Sequence, residues 1–262
     1  MHWIMVYAIS LSLTTCLYRR ANIEKITTYA QVDFNAIDQH ALLIFDVDET
    51  LIQPDDAYVI NEDVGQAQEL QREIQKKYPK VNWQQIEGKI IQQAPRSVIE
   101  PEIIPIIATL RQRGVEVIVC SYLNSGAYGD VPSLEEWRYN NLKGLGFVWS
   151  FDDTIIRFAG DHGHPVFYRG VLLSDGNQKG PVVAAWLEAI DLHPSKIIAF
   201  DDTLENLISI ERVCRKKGIL FKGYHYFGAK QKKLNIKRAR LQFEWLIEHG
   251  NWLSDKELGV ES

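Results

Sequence analysis

Residues 41–52 read ALLIFDVDETLI, and the way this stretch folds decides how the rest of the chain is read. The run ALLIF, 41–45, is apolar without alternation, the pattern of a strand covered on both faces, as in a parallel sheet with helices above and below. Two carboxylates follow, Asp46 and Asp48. In extended chain, residues two apart leave the same side, so the pair repels, by about 4 kcal/mol at ~4 Å and an effective dielectric of ~20. An Asp-x-Asp pair is often no more than a solvated turn. Here it stands between five apolar residues and Leu51-Ile52, which argues against a turn. Open α/β sheets place their ligands just beyond the carboxyl ends of such strands.

Three more apolar runs read as buried strands: VEVIVC (115–120), KIIAF (196–200) and GILFKGY (218–224). Helix signals lie between them. Pro101 suits the first turn of a helix that ends at Gly114, and Ser133 with Glu136 forms a capping box. Pro181 opens PVVAAWLEAI, and Gly218 can close a helix from near Leu204. Strands alternating with helices predict an α/β domain with a mainly parallel sheet. Residues 55–100 break the rhythm with two amphipathic patterns separated by Pro79 and no strand of their own, and they read as a helical insertion after the first strand. The core is then 21–54 with 101–262. HPVFYRGVLL, within 147–173, reads as short extended segments, and IKRARLQFEWLIEHGNWL as a final helix packed back on the sheet.

The tetrapeptide FDDT occurs twice, at 151–154 and 200–203. After Asp202 comes TLENLISIERVCRKKG, apolar at helical spacing, so this copy sits at a strand-to-helix junction, where carboxylates point into the crevice. After Asp153 comes TIIRFAGDHGH, extended chain and then a turn. The first copy reads as a solvated loop end and the second as a metal site.

Composition sets the outer bounds. The 262 residues are 46% hydrophobic with a net charge of −5, enough for a sizeable core and no reason to expect nucleic acid. Cys16, Cys120 and Cys214 are odd in number and widely spaced, which argues against a disulfide framework. Residues 4–18, within the segment 1–20, are apolar enough for a secretory signal and short for a membrane span. Nothing basic precedes them except His2, and no Ala-x-Ala site is visible, so an exported or anchored chain and a cytoplasmic one stand level. Membrane contact is expected only through 4–18 if they are retained. Between Arg215 and Arg240, ten residues are Lys or Arg and none is acidic. Electrostatic steering of anionic substrates and contact with acidic lipid or a partner are open readings; a solvated helix end followed by lysines guarding a sheet edge is the plainer one.

DVDETL resembles the first motif, DxDx[TV], of the haloacid dehalogenase-like (HAD) hydrolases. The other motifs follow in order: VIVCS with Ser121, NQKGPV with Lys179, and IIAFDD with Asp201 and Asp202. The ending NWLSDKEL and the layout are similar to an uncharacterised bacterial branch of that superfamily. The resemblance covers roughly 38–215 and implies a Rossmann-like sheet with a cap between the first two motifs. It implies a Mg²⁺-dependent phosphatase acting on a phosphomonoester through an aspartyl-phosphate. Asp46 would be the nucleophile and Asp48 the general acid and base, its protonated form favoured by neighbouring carboxylates. Ser121 would hydrogen-bond a phosphoryl oxygen and Lys179 would neutralise charge. Mg²⁺ would be held by Asp46, the Asp48 backbone carbonyl and Asp202, with Asp201 direct or through water.

Each residue also has a plainer role. Ser121 alone is a strand-end cap, Lys179 a solvated helix-start lysine, and Asn206 either an outer-shell support or a helix cap. His162 and His164 are a thin zinc signal in a Gly/Pro turn. Cys120 reads as a small buried residue, and GYHYF, 223–227, as strand packing. Two other functions compete: a non-catalytic binding protein using 55–100 and the basic tail, and a phosphotransferase to an acceptor other than water. The cap sequence QELQREIQKKYPKVNWQQIEG carries no recognition code, so the substrate stays open among phosphorylated metabolites, lipids and proteins. Oligomeric state is open too.

Overall fold

The run 41–45 is a fully buried strand at the centre of the sheet. The computed structural model describes residues 22–60, 63–149 and 151–259; the apolar segment 4–18 and Cys16 lie outside the described residues. In chain order the elements begin with β1 (Ile23–Ile26), β2 (Ala41–Phe45), β3 (Ile52–Pro54), α1 (Val64–Lys77), α2 (Trp83–Gln93) and β4 (Arg96–Val98). Next come α3 (Ile103–Gln112), β5 (Glu116–Ser121), α4 (Leu134–Gly144), β6 (Ile155–Arg157), β7 (Val166–Tyr168) and β8 (Val171–Leu173). The last are α5 (Lys179–Ala189), β9 (Lys196–Asp201), α6 (Leu204–Lys217), β10 (Leu220–Tyr226) and α7 (Ile236–His249).

The sheet runs β1-β10-β9-β2-β5-β8-β7-β6. From β1 to β8 every pairing is parallel, and β7 and β6 add antiparallel edges. It is the Rossmann-like α/β arrangement expected, with helices on both faces. The two-residue alternation along β2 shows why the strand must be apolar throughout. Leu43 and Phe45 enter a core shared with Ile103, Ile107 and Leu134 of α3 and α4. Leu42 and Ile44 enter the opposite one, with Trp186 and Leu187 of α5 and Leu207 of α6. HPVFYRGVLL forms the β7–β8 hairpin, turning through Arg169 (φ 50°) and Gly170 (φ 89°), the doubly left-handed pair that a two-residue hairpin favours. β1, an edge strand with an exposed charged pair, Glu24 and Lys25, at its middle, was not anticipated.

Two expectations change. The insertion carries a strand of its own, β4, paired antiparallel with β3 through Ile52 and Val98, so a two-stranded ribbon forms its base. The final helix does not pack back on the sheet. Ala239, Phe243 and Leu246 of α7 form one core with Leu70 and Ile74 of α1 and Ile86 and Ile90 of α2. Two short helices, with three buried apolar side chains in α1 and two in α2, cannot make a core alone, and α7 covers them. A polar clamp fixes its tail: Asp56 accepts from the Asp255 backbone (2.8 Å) and the Trp252 indole (2.6 Å), and Asp255 accepts from the Ala57 backbone (2.9 Å). Among the described residues no helix is long and apolar enough to cross a membrane.

Candidate active site

Strands β2 and β9 lie side by side in register, Phe45 against Phe200, and the Asp46 amide donates to the Phe200 carbonyl (2.8 Å). The two strands therefore end level, and both endings are acidic. Among the described residues one group of three candidate ligands stands out: Asp46, Asp201 and Asp202 each bring a carboxylate oxygen to within 4.8 Å of the others. Lys179, the first residue of α5, reaches in beneath them. Its ammonium donates to Asp46 Oδ1 (2.5 Å) and Asp201 Oδ2 (2.7 Å), and its side chain is 1% exposed. It is no solvated helix-start lysine.

Each carboxylate is held differently. Asp201 Oδ1 accepts from the Thr203 amide (3.0 Å) and from Asn206 Nδ2 (2.9 Å), so Asn206 supports the group from one turn into α6. The Asp202 amide donates to Thr50 Oγ1 (3.1 Å), and its carbonyl is in hydrogen-bond contact with His225 Nε2 (2.8 Å). Three carboxylates around one ammonium leave the pocket over-negative. Burial raises the Asp46 pKa well above the usual carboxylate range, against the pull of Lys179. Burial, then Asp201 and Glu49, push Asp202 up to about 7. Burial also works to discharge Lys179, but Asp46 and Asp201 outweigh it and hold its pKa above the ordinary value. An all-oxygen donor set with surplus negative charge suits a hard divalent cation.

Asp48 stands apart from the trio. Its Oδ2 accepts from Arg138 Nη2 (2.6 Å), and its side chain is 43% exposed. The neighbour that holds it is a guanidinium, where carboxylates were expected. Arg138 itself is buried, with Nε and Nη1 lacking a hydrogen-bond partner. Ser121 ends β5, the strand beside β2, and is buried; its hydroxyl accepts from the Leu123 amide (3.3 Å), the geometry of a strand-end cap. Between Asp48 and Thr50 the chain passes through Glu49 at φ 61°, a left-handed backbone uncommon for a residue with a side chain.

Three supporting residues were missed: Thr50, His225 and Arg138. Thr50 was visible only as a motif letter, and His225 as part of a packed strand. Arg138 did leave a signal, because Leu134, Arg138 and Leu142 share the buried stripe of α4, and an arginine on such a stripe needs a partner. The remaining candidates fall to their plainer roles. Asp152 and Asp153 of the first FDDT are exposed, and Asp153 pairs with Arg169. The His162 and His164 amides donate to Asn177 and Asp175. The Cys120 thiol is buried, which pushes its pKa up to about 12. Within the basic stretch, Lys217, Lys222, Arg238 and Arg240 pair with Glu188, Glu24, Asp255 and Glu73, so much of its charge is met locally.

Residues 20–259 match the family described as "Protein of unknown function (DUF2608)", and the chain belongs to it. An uncharacterised protein of Rickettsia prowazekii (strain Madrid E) is 21% identical over 225 residues, covering 84% of this chain and 82% of that protein. A second uncharacterised protein of that organism is 31% identical over 112 residues, and one of Rickettsia felis is 29% identical over 114. Each of these two alignments covers 39% of this chain and 38% of the relative.

Proposed function

We propose that this chain is a Mg²⁺-dependent phosphatase of the HAD type, hydrolysing a phosphomonoester through an aspartyl-phosphate on Asp46. The observation that carries this reading is the convergence of Asp46, Asp201 and Asp202 on one point above a buried lysine. Mg²⁺ would be held by the Asp46 and Asp202 carboxylates and the Asp48 carbonyl, with Asp201 direct or through water, and would supply the positive charge that lets a carboxylate approach a phosphate.

The chain's own residues account for the rest. Asp46 attacks phosphorus in line; an Asp46–phosphorus bond forms as the bond to the leaving oxygen breaks. That oxygen takes a proton from Asp48, which later removes one from the water that releases phosphate. Arg138 occupies Asp48 Oδ2, which leaves Oδ1 to carry the proton, and the exposure of Asp48 gives it exchange with solvent and favours water as acceptor. Ser121 Oγ accepts from Leu123, so its own hydroxyl proton is available to a phosphoryl oxygen. Lys179 offsets charge spreading over the transferred group.

Asp46→Asn should abolish release of phosphate from 4-nitrophenyl phosphate, and chelation should do the same to the unaltered protein. An Asp46→Asn protein that turns over at the original rate ends the proposal.

A further inference from the structure

A cleft of about 500 Å³ opens directly over Asp48, between α2 and the chain that leaves β5. If Asp48 protonates the departing oxygen, whatever that oxygen carries lies in this cleft. Three of its walls are tyrosines, Tyr58, Tyr122 and Tyr128, and Ile90, Ile91 and Leu123 fill in between them. A neighbouring cavity of about 750 Å³ continues past Tyr58, Gln71 and Ile90. The charged groups along both are the carboxylates Asp48, Glu87 and Glu49; among the described lining residues there is no Lys, Arg or His. Glu87 is committed to the walls, accepting from Gln71 Nε2 (2.9 Å) and from the Tyr128 hydroxyl.

These walls are preformed. α2 meets the 128–130 turn backbone to backbone: a Cβ on Gly88 would lie 3.0 Å from the Tyr128 carbonyl, and one on Gly129, at φ 58°, 2.2 Å from the Gln84 carbonyl. A cleft fixed in this way selects by shape and charge without rearranging.

We infer that the substrate is a phosphomonoester with a single phosphate, whose leaving group is uncharged, largely apolar and ring-bearing, seated among Tyr58, Tyr122 and Tyr128. This rests on the phosphatase reading above. Ring faces against the tyrosines supply attraction. A second phosphate or a carboxylate on the leaving group would meet Glu87 and Glu49, while the one guanidinium beside the cleft, Arg138, is already paired with Asp48, so bisphosphates, phosphorylated acids and acidic phosphopeptides are discriminated against.

The test is a matched pair of esters, benzyl phosphate and 4-carboxybenzyl phosphate, whose leaving alcohols have nearly the same acidity and differ in charge. At low ionic strength, kcat/KM should be at least about tenfold lower for the carboxylate. Tyr122→Lys, at a wall position that is 58% exposed, should narrow that gap at least about threefold. Equal rates for the two esters overturn the inference and leave the phosphatase intact, as does a gap that Tyr122→Lys does not change. Failure to release phosphate from either ester or from 4-nitrophenyl phosphate brings down both.

Discussion

The two FDDT segments make the same local structure and have opposite fates. In the first, Asp152 Oδ1 accepts from the Thr154 amide at 3.0 Å; in the second, Asp201 Oδ1 accepts from the Thr203 amide at 3.0 Å. This two-residue turn is written in the tetrapeptide itself. What separates the copies is their setting: Asp201 ends β9 and Thr203 caps α6, whereas 151–154 lie in no strand or helix. The second ends β9 beside β2, where Lys179 and Asp46 meet it. The first follows Trp149 along the surface, where Asp153 is 78% exposed. Two of the aspartates, not at matching positions, also shift in opposite directions. Asp152, the first of its pair, is lowered by its hydrogen bonds to Thr154, and Asp202, the second of its pair, is raised by burial and its acidic neighbours. Where its strand ends decides whether a carboxylate pair stays solvated or joins a buried cluster.

Three experiments probe that contrast, the largest effect first. Asp202→Asn should cut phosphatase turnover by at least about a hundredfold, because it removes a candidate metal ligand, whereas Asp153→Asn should leave it within about twofold. Steady-state assay of both variants measures this, and equal losses would mean that position does not matter. Next, Lys179→Met strands two buried carboxylates and should cost about 3–5 kcal/mol in urea denaturation. The comparison is Arg169→Met at the exposed ion pair, where about 0–1 kcal/mol is expected. Third, Asp202 and Asp152 should respond oppositely to pH. Asp202 titrates at about 7 when folded and near 3.9 when unfolded. Between those values the folded state holds a proton that the unfolded state has lost, so metal-free stability falls as pH rises from about 4 to about 7. Asp152 acts the other way: its contribution is present above ~4 and fades as pH falls through its lowered value. Melting with EDTA at pH 5 and 7.5 should give the lower midpoint at pH 7.5. Asp202→Asn should flatten the difference, and Asp152→Asn should not.

The central strands were legible because a strand buried on both faces must be apolar where it is covered, and 41–45, 117–120 and 197–200 are apolar at every position. The trio at the strand tips was legible for the same reason: once ALLIF and KIIAF are strands, Asp46, Asp201 and Asp202 fall at their ends. What escaped depends on partners distant in sequence. The apolar stripe of α7 announces a helix, but Ala239 and Phe243 could cover a sheet or other helices equally well, and only the exposed stripes of α1 and α2 decide it. β1 is four residues long, and its two central ones, Glu24 and Lys25, are charged and exposed, so neither alternation nor an apolar run marks it. The partner of Asp48 lies ninety residues away, and no rule of local spacing connects Arg138 to it.

The helix that completes the cap carries a consequence for biosynthesis. Lys77 of α1 meets Glu244 of α7 across 167 residues, so a chain emerging from the ribosome displays α1 and α2 long before their cover exists. The sheet and its acidic tips can assemble first, and the layer that roofs them is sealed last, when Trp252 and Asp255 close on Asp56. The sheet and the layer that covers it thus take shape at different moments, and the cap closes only once α7 has been made.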